Sequence, residues 1–260
     1  MLTPSQLAQF NEDGYIIIKN LFDEEEAELL KTAARQDPSI SGKAVERSDG
    51  GGGMSKITLW NDENEGVLSL YSRCERMATS AEQILGGEVY HWHSKMMQKE
   101  PFVGGAWIWH QDYGYWYNDT CLFPLLVSCF IAIDPCTKEN GCLQVLKGSH
   151  HIGRINHIRV GDQTGADPER CDAAEKVCSL EYVTMEPGDA LWFHSNLLHR
   201  SDQNTSPNPR WALICCYNAK RNSPYGKSSH PRYSPMKRVP DTAIKETGLQ
   251  WLGETTDFLS

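Results

Sequence analysis

Apolar positions change their period along this chain, and the change divides it. Residues 3–35 read as a helical preamble. Thr3-Pro4-Ser5-Gln6 supplies an N-cap and a proline at N1 for a short helix through Asn11. Asp13-Gly14 then turns into Tyr15-Ile16-Ile17-Ile18, a strand dense in β-branched residues. Asp23 caps a helix over 24–35 whose first-turn acids suit the positive end of the helix dipole. The polar stretch 37–53 closes in four consecutive glycines, Gly50 to Gly53, which predicts a mobile loop or lid without a packing role. Residues 55–60 read as a strand and 66–85 as one helix stopped by Gly86-Gly87.

From residue 88 the period shortens to that of strands. Residues 88–99 alternate, 122–133 form the apolar run of a central strand buried on both faces, and Asn140-Gly141 marks a tight turn before a strand at 142–146. Residues 153–179 look like a polar insertion with one helix around 169–177, and short strands resume at 180–185, 190–193 and 210–217. The stretch from Asn218 onward, rich in Pro, Ser and basic residues, is expected to wrap the surface. Many short strands after a helical third predict a mainly β fold with flanking helices, a double-sheet sandwich or jelly roll. One domain is expected, with a helical part at 1–87, a β core at 88–217 and a tail at 218–260.

Composition narrows the class without naming the function. Ten Tyr, eight Trp and seven Phe within 40 % hydrophobic content are ample for a sizeable core. A net charge of −9 and the lack of a long basic run exclude a general nucleic-acid binder, whose affinity rests on neutralising phosphates. The first residues carry no secretory pattern, and no stretch approaches the roughly 18 apolar residues of a membrane span. The expectation is a cytoplasmic protein that engages no membrane, as a monomer or homodimer. Nine cysteines, an odd number with no Cys-x-x-Cys pair, disfavour a disulfide framework or a zinc ribbon. Cys129, Cys142, Cys215 and Cys216 lie in apolar contexts and read as buried thiols of a reducing compartment.

The candidate chemistry centres on His110 and Asp112, inside the aromatic run Trp107 to Trp116. On a strand, side chains at i and i+2 share a face about 7 Å apart, so an imidazole and a carboxylate converge there on one ion. His199, after a strand at 190–193, is the third candidate ligand. Two imidazoles and one carboxylate leave positions open for a bidentate cosubstrate and dioxygen on ferrous iron, although a zinc hydrolase uses similar ligands. Eleven residues beyond His199, Arg210 opens the last strand with a fork suited to a carboxylate, and Ser201 is placed to donate to the same group. Triad plus anchor predicts a 2-oxo diacid. Tyr115 and Tyr117 extend an aromatic cluster suited to a cationic or methylated ammonium group, while Lys56 suits an anionic group near the cosubstrate. His91, His93, His150, His151 and His194 read as surface or hydrogen-bonded histidines. Gly148-Ser149-His150 reads as a turn, since a phosphate cradle would need a following helix.

His110-Gln111-Asp112, then Asn140-Gly141-Cys142-Leu143 with Gly148-Ser149-His150, then Pro187-Gly188-Asp189, His199-Arg200-Ser201 and Asn204-Thr205-Ser206 with Arg210, together resemble the phytanoyl-CoA dioxygenase family, which includes the ectoine hydroxylases. The resemblance covers roughly residues 5–220. It implies a double-stranded β-helix, cupin-like fold, with Fe(II) on His110, Asp112 and His199. It also implies 2-oxoglutarate chelating that iron, with its far carboxylate on Arg210 and Ser201, and further cosubstrate contacts at Met96 and Gln98. Trp116 falls where ectoine hydroxylases place a pocket tryptophan, which makes Trp116 and Tyr113 the candidate substrate contacts. Halogenating relatives replace the carboxylate ligand with a small residue; this chain keeps Asp112, which favours hydroxylation. The implied reaction consumes O2 and 2-oxoglutarate, hydroxylates a small, polar or zwitterionic metabolite, and releases succinate and CO2. A zinc or other metal enzyme on a cupin-like barrel, and a non-catalytic metabolite-binding member of the fold, are the alternatives.

Overall fold

The computed structural model of the chain describes residues 1–61 and 66–257. Its N-terminal helices begin where the sequence supplies caps. The Thr3 hydroxyl accepts from Gln6 N while the Gln6 side chain accepts from Thr3 N, a capping box that opens α1 (Pro4–Asp13). Gly14, at φ 82°, ends that helix and releases β1 (Tyr15–Ile18). Asp23 and Glu26 repeat the box for α2 (Glu24–Gln36), with Glu24, Glu25 and Glu26 at the positive end of its dipole.

Two expectations for the next stretch are corrected. Residues 37–53 hold α3 (Pro38–Gly42) and β2 (Val45–Ser48), and the glycine run is the turn of a hairpin with β3 (Met54–Trp60). The Asp49 carboxylate accepts from the amides of Gly51, Gly53 and Ala106 and from the Gln203 side chain, which ties the turn down. A Cβ on Gly53 would come within 2.6 Å of Gly105 Cα, so this glycine serves a close backbone approach. The single helix expected over 66–85 is two, α4 (Val67–Arg73) and α5 (Glu75–Leu85). They break at Cys74, which is extended and bridges to Val239.

The β part comprises β4 (Val89–Lys99), β5 (Trp107–His110), β6 (Leu126–Ala132), β7 (Leu143–Leu146), β8 (His157–Val160), β9 (Gln163–Ala166), β10 (Leu180–Val183), β11 (Ala190–His194), β12 (His199–Ser201) and β13 (Arg210–Ala219). A larger sheet runs β1-β11-β6-β13-β4-β3-β2, a smaller one β10-β7-β12-β5, and the strand pairs in both are antiparallel. With α1, α2, α4 and α5 on one side, this is a mainly β, double-stranded β-helix fold of the jelly-roll, cupin-like kind. Helices α6 (Asp112–Trp116), α7 (Pro168–Glu175) and α8 (Ala243–Asp257) complete it. The hairpin β8–β9 inside the supposed insertion, the three-residue β12 and helix α8 carry too few periodic apolar residues to show in the sequence.

One face of the larger sheet packs on the helices through Leu30, Tyr71, Met77, Ile131, Trp192, Leu213 and Ile244. Its other face meets the smaller sheet over Trp92, Phe130, Val145, Leu191 and Ile214. Strand β6 is covered from both sides and buried at every position, as its apolar run requires. A bulge in β4 matters for the site. Cys216 pairs with His93 and Tyr217 with His91, so Trp92 is an extra residue opposite the steadily alternating β13. Before the bulge Tyr90 and Trp92 face the smaller sheet; after it His93, Lys95 and Met97 do, and Met96 turns to the helix side. All nine cysteines are free and eight are buried. Among the described residues no helix is long and apolar enough to cross a membrane.

Candidate active site and metal centre

Antiparallel pairing sets His199 of β12 directly opposite His110 of β5, with ring centroids 4.0 Å apart. Asp112 joins them by a different route from the one expected. The strand stops at His110, Gln111 is extended, and Asp112 opens α6, so a strand-to-helix turn brings the carboxylate in. The candidate ligand atoms of the three residues all lie within 4.8 Å of one another.

Their surroundings prepare them as donors. His110 Nδ1–H donates to Ile108 O at 2.8 Å and His199 Nδ1–H to Leu197 O at 3.0 Å, which leaves both Nε2 lone pairs for the centre. Asp112 Oδ2 accepts from Ser128 Oγ at 2.7 Å, and Oδ1 lies 3.6 Å from Lys95 Nζ. Burial works against the Asp112 charge, but Lys95, both imidazoles and the Ser128 hydroxyl outweigh it and bring the carboxyl down to about 2. Burial, together with His199, holds His110 well below the usual imidazole range, and burial lowers His199 as well. Two neutral imidazoles and a carboxylate are what a divalent metal requires of such ligands.

The middle residue of the motif is a pin. Gln111 is buried; its Nε2 donates to Gly153 O and Asn196 O, its Oε1 accepts from Ile155 N, and its backbone N donates to His157 Nε2. His157 then packs so closely on the turn that a Cβ on Gly114 would stand 1.9 Å from its ring.

The triad lines a cavity of about 380 Å³ between the sheets, and so do Ser201 and Arg210. Arg210 is 1 % exposed, and its Nε has no partner. The guanidinium sits 5.5 Å over the Phe130 ring. Asp134, the acid in its vicinity, is committed to Arg35 and to Trp211 N. Across the strand pair stands Lys99, another buried cation, whose ammonium donates to Asp202 O and is pushed well below the usual lysine range by burial and by Arg210. A buried cation with no anion beside it fits an anionic ligand from outside the chain.

Other expected site residues divide. Trp116 and Tyr115 line the cavity, Tyr115 donating its hydroxyl to Thr164 O. Tyr117 instead carries Arg154 over its ring at 4.2 Å. Tyr113 lies outside the lining: its hydroxyl donates to Cys121 O and Leu122 O, and its ring packs in the inter-sheet core. Lys56 also lies outside. Strand alternation turns its neighbours Ile57 and Leu59 inward, and Lys56 itself pairs with Glu46 at 3.8 Å. Met96 and Gln98 point away from the cavity, which Lys95 and Met97 line in their place; the bulge at Trp92 shifts the register by one. Also lining it are Arg47, His93, Asp119 and His230, residues that carry no motif. His91 and His93 are buried and hydrogen-bonded, to Ser94 and His230, and the His150 ring meets those of His151 and His194 at a tilt, 3.9 and 5.3 Å between centroids.

A family model described as phytanoyl-CoA dioxygenase matches residues 10–212. Ectoine dioxygenase from Stutzerimonas stutzeri is 30 % identical over 83 % of this chain and 76 % of its own length. L-proline trans-4-hydroxylase from Streptomyces griseoviridis is 28 % identical over 88 % of this chain and 89 % of its own. Among solved structures, EctD from S. alaskensis in its apoform aligns with a TM-score of 0.77 at 25 % identity, covering 92 % of this chain and 88 % of that one.

Proposed function

The chain belongs to the phytanoyl-CoA dioxygenase family, and from that premise we propose that it hydroxylates a small, polar metabolite at His110, Asp112 and His199, with 2-oxoglutarate as cosubstrate. It is an iron- and 2-oxoglutarate-dependent dioxygenase. Its relatives are a proline hydroxylase and ectoine dioxygenases, and EctD has been crystallised with bound Fe and with 2-oxoglutarate. The observation that carries the reading is Arg210, a buried guanidinium with no anion beside it, which lines the cavity that also holds the triad.

Each residue has a task. The Nε2 atoms of His110 and His199 and the Asp112 carboxylate would hold the iron on one face, leaving the other open. Bound iron and dioxygen supply the oxidising chemistry, with 2-oxoglutarate going to succinate and CO2 as the substrate gains a hydroxyl group. Arg210 pairs with the far carboxylate of 2-oxoglutarate and Ser201 donates to it. Lys95 and Ser128 keep Asp112 ionised and aimed. Trp107, Phe130, Leu143 and Phe193 line the cavity with apolar surface that excludes water. Trp116 and Tyr115 flank the substrate. A hydrolytic zinc centre on the same barrel would leave Arg210 without a use. The chain works as one domain, in the cytoplasm, on a dissolved small molecule, as a monomer or homodimer; its free thiols suit a reducing compartment, and its net charge of −9 does not suit nucleic acid.

Anaerobic addition of Fe(II) and 2-oxoglutarate should raise a weak visible absorption band. No band from correctly folded protein would sink the reading. His110→Ala and Asp112→Ala should each abolish succinate formation, and continued turnover would place the centre elsewhere.

A further inference from the structure

One wall of the cavity carries a polar chain that the metal chemistry does not use. His93 follows the bulge residue Trp92, lines the cavity and is 2 % exposed. Its Nδ1 lies 2.7 Å from Nε2 of His230, which reaches in from the tail beyond β13. On the other side of His230, Nδ1 lies 3.1 Å from Ser229 Oγ and 3.5 Å from the Asp119 carboxylate. Ser229 donates its hydroxyl proton to Asp119 at 2.7 Å, so its oxygen is left to accept, and a carboxylate only accepts. Both neighbours therefore call for a proton on His230 Nδ1.

That proton sets the order along the chain. Neutral His230 presents a lone pair at Nε2, which takes Nδ1–H of His93. His93 is then left with a lone pair at Nε2, and this buried atom has no partner in the protein. The rings are held: His230 stacks on Trp92 with centroids 4.6 Å apart and planes 10° apart, and His93 meets Trp116 edge-on at 5.6 Å. Burial, with Lys95 adding, keeps His93 neutral, and burial lowers His230 despite Asp119.

We propose that His93 Nε2 is the acceptor by which this dioxygenase recognises its substrate, taking a hydrogen bond from an N–H or O–H group of a molecule seated against Trp116, while His230, Ser229 and Asp119 are positioning residues that fix its tautomer. The substrate class is thus a small amine or alcohol. A site built around an unpaired buried acceptor rejects analogues that lack the donor, because the acceptor then stays unpaired. Of these residues, His93, Trp116 and Asp119 lie within the span of the family match, and Ser229 and His230 lie beyond its end at residue 212.

The proposal rests on the dioxygenase reading, and the test separates the two. In metal-free protein with 15N-labelled histidine, NMR should show His93 protonated at Nδ1 and bare at Nε2, a result independent of iron or turnover; a proton on Nε2 overturns the proposal. His230→Gln, whose amide oxygen still accepts, should keep that tautomer, and His230→Leu should release it. In a succinate-release screen, each active small molecule is paired with its deoxy or fully N-methylated analogue. Loss of turnover in the analogue is expected, with the amine and alcohol arms telling which donor is read. His230→Leu should raise the substrate KM about tenfold, leave the KM for 2-oxoglutarate unchanged, and be largely rescued by Gln. Analogues turned over as well as their parents, or an unmoved substrate KM, overturn the proposal. A missing iron–cosubstrate band overturns the dioxygenase reading instead.

Discussion

Arg210 is held in the interior as a cation without a partner, an arrangement that weakens the empty protein and strengthens the loaded one. Arg210→Ala should raise the KM for 2-oxoglutarate about 30-fold or more, the scale of removing one partner from a buried charge pair; an unchanged KM would remove it as the anchor. Arg210→Met should also raise the melting temperature of metal-free protein, since an apolar side chain needs no anion there. Ser128 acts one step from the metal. Ser128→Ala, which frees Asp112 Oδ2, should weaken divalent-metal affinity about 10- to 100-fold by calorimetric titration, and equal affinity would mean the hydroxyl does not orient the ligand. These residues differ in how far the sequence shows them. His110, Asp112, His199 and Arg210 are legible from residue type and spacing. Ser128 is the one polar residue of an apolar strand and Lys95 is one of several in β4, and their roles exist only once β6 and β4 lie beside β13.

At the scale of elements, one extra residue decides which side chains meet the ligands. The family resemblance points to Met96 and Gln98; the bulge at Trp92 turns these away and delivers His93, Lys95 and Met97 to the cavity. A bulge leaves no mark in the hydrophobic pattern, because residues on both faces of this strand are buried. The break at Cys74 is hidden for a similar reason, being fixed by a contact with Val239 far along the chain. Gly114, within α6, lies close against the His157 ring. Gly114→Ala puts a methyl group into the His157 ring and should cost on the order of 1–3 kcal/mol. A melting temperature equal to wild type would show that His157 moves aside freely.

For the whole molecule, the acid limit of stability lies partly outside the active site. His194 sits near His150, whose ring lies 3.9 Å from that of His151 at a tilt, and its Nδ1 accepts from Asn196 N at 2.9 Å. Burial and the neighbouring imidazoles hold it down to about 4. An unfolded histidine takes up its proton near 6.5, so between those values the unfolded chain binds more protons. Stability is therefore full above about pH 6.5, falls on the way down to about pH 4, and loses on the order of 3 kcal/mol from this group. Urea midpoints across that window should show the slope, and His194→Asn should flatten it; an unchanged slope would assign it to other groups. The jelly roll and helices α1 and α2 are readable because caps and strand periods are local. The path of the tail is not, since it follows surfaces that only the folded sheets create. That path has a consequence for redesign. The metal ligands sit on β5, α6 and β12, while His230 comes from the stretch that follows β13. Exchanging that stretch leaves every metal ligand in place, which makes it a place to alter substrate choice without touching the oxidising centre.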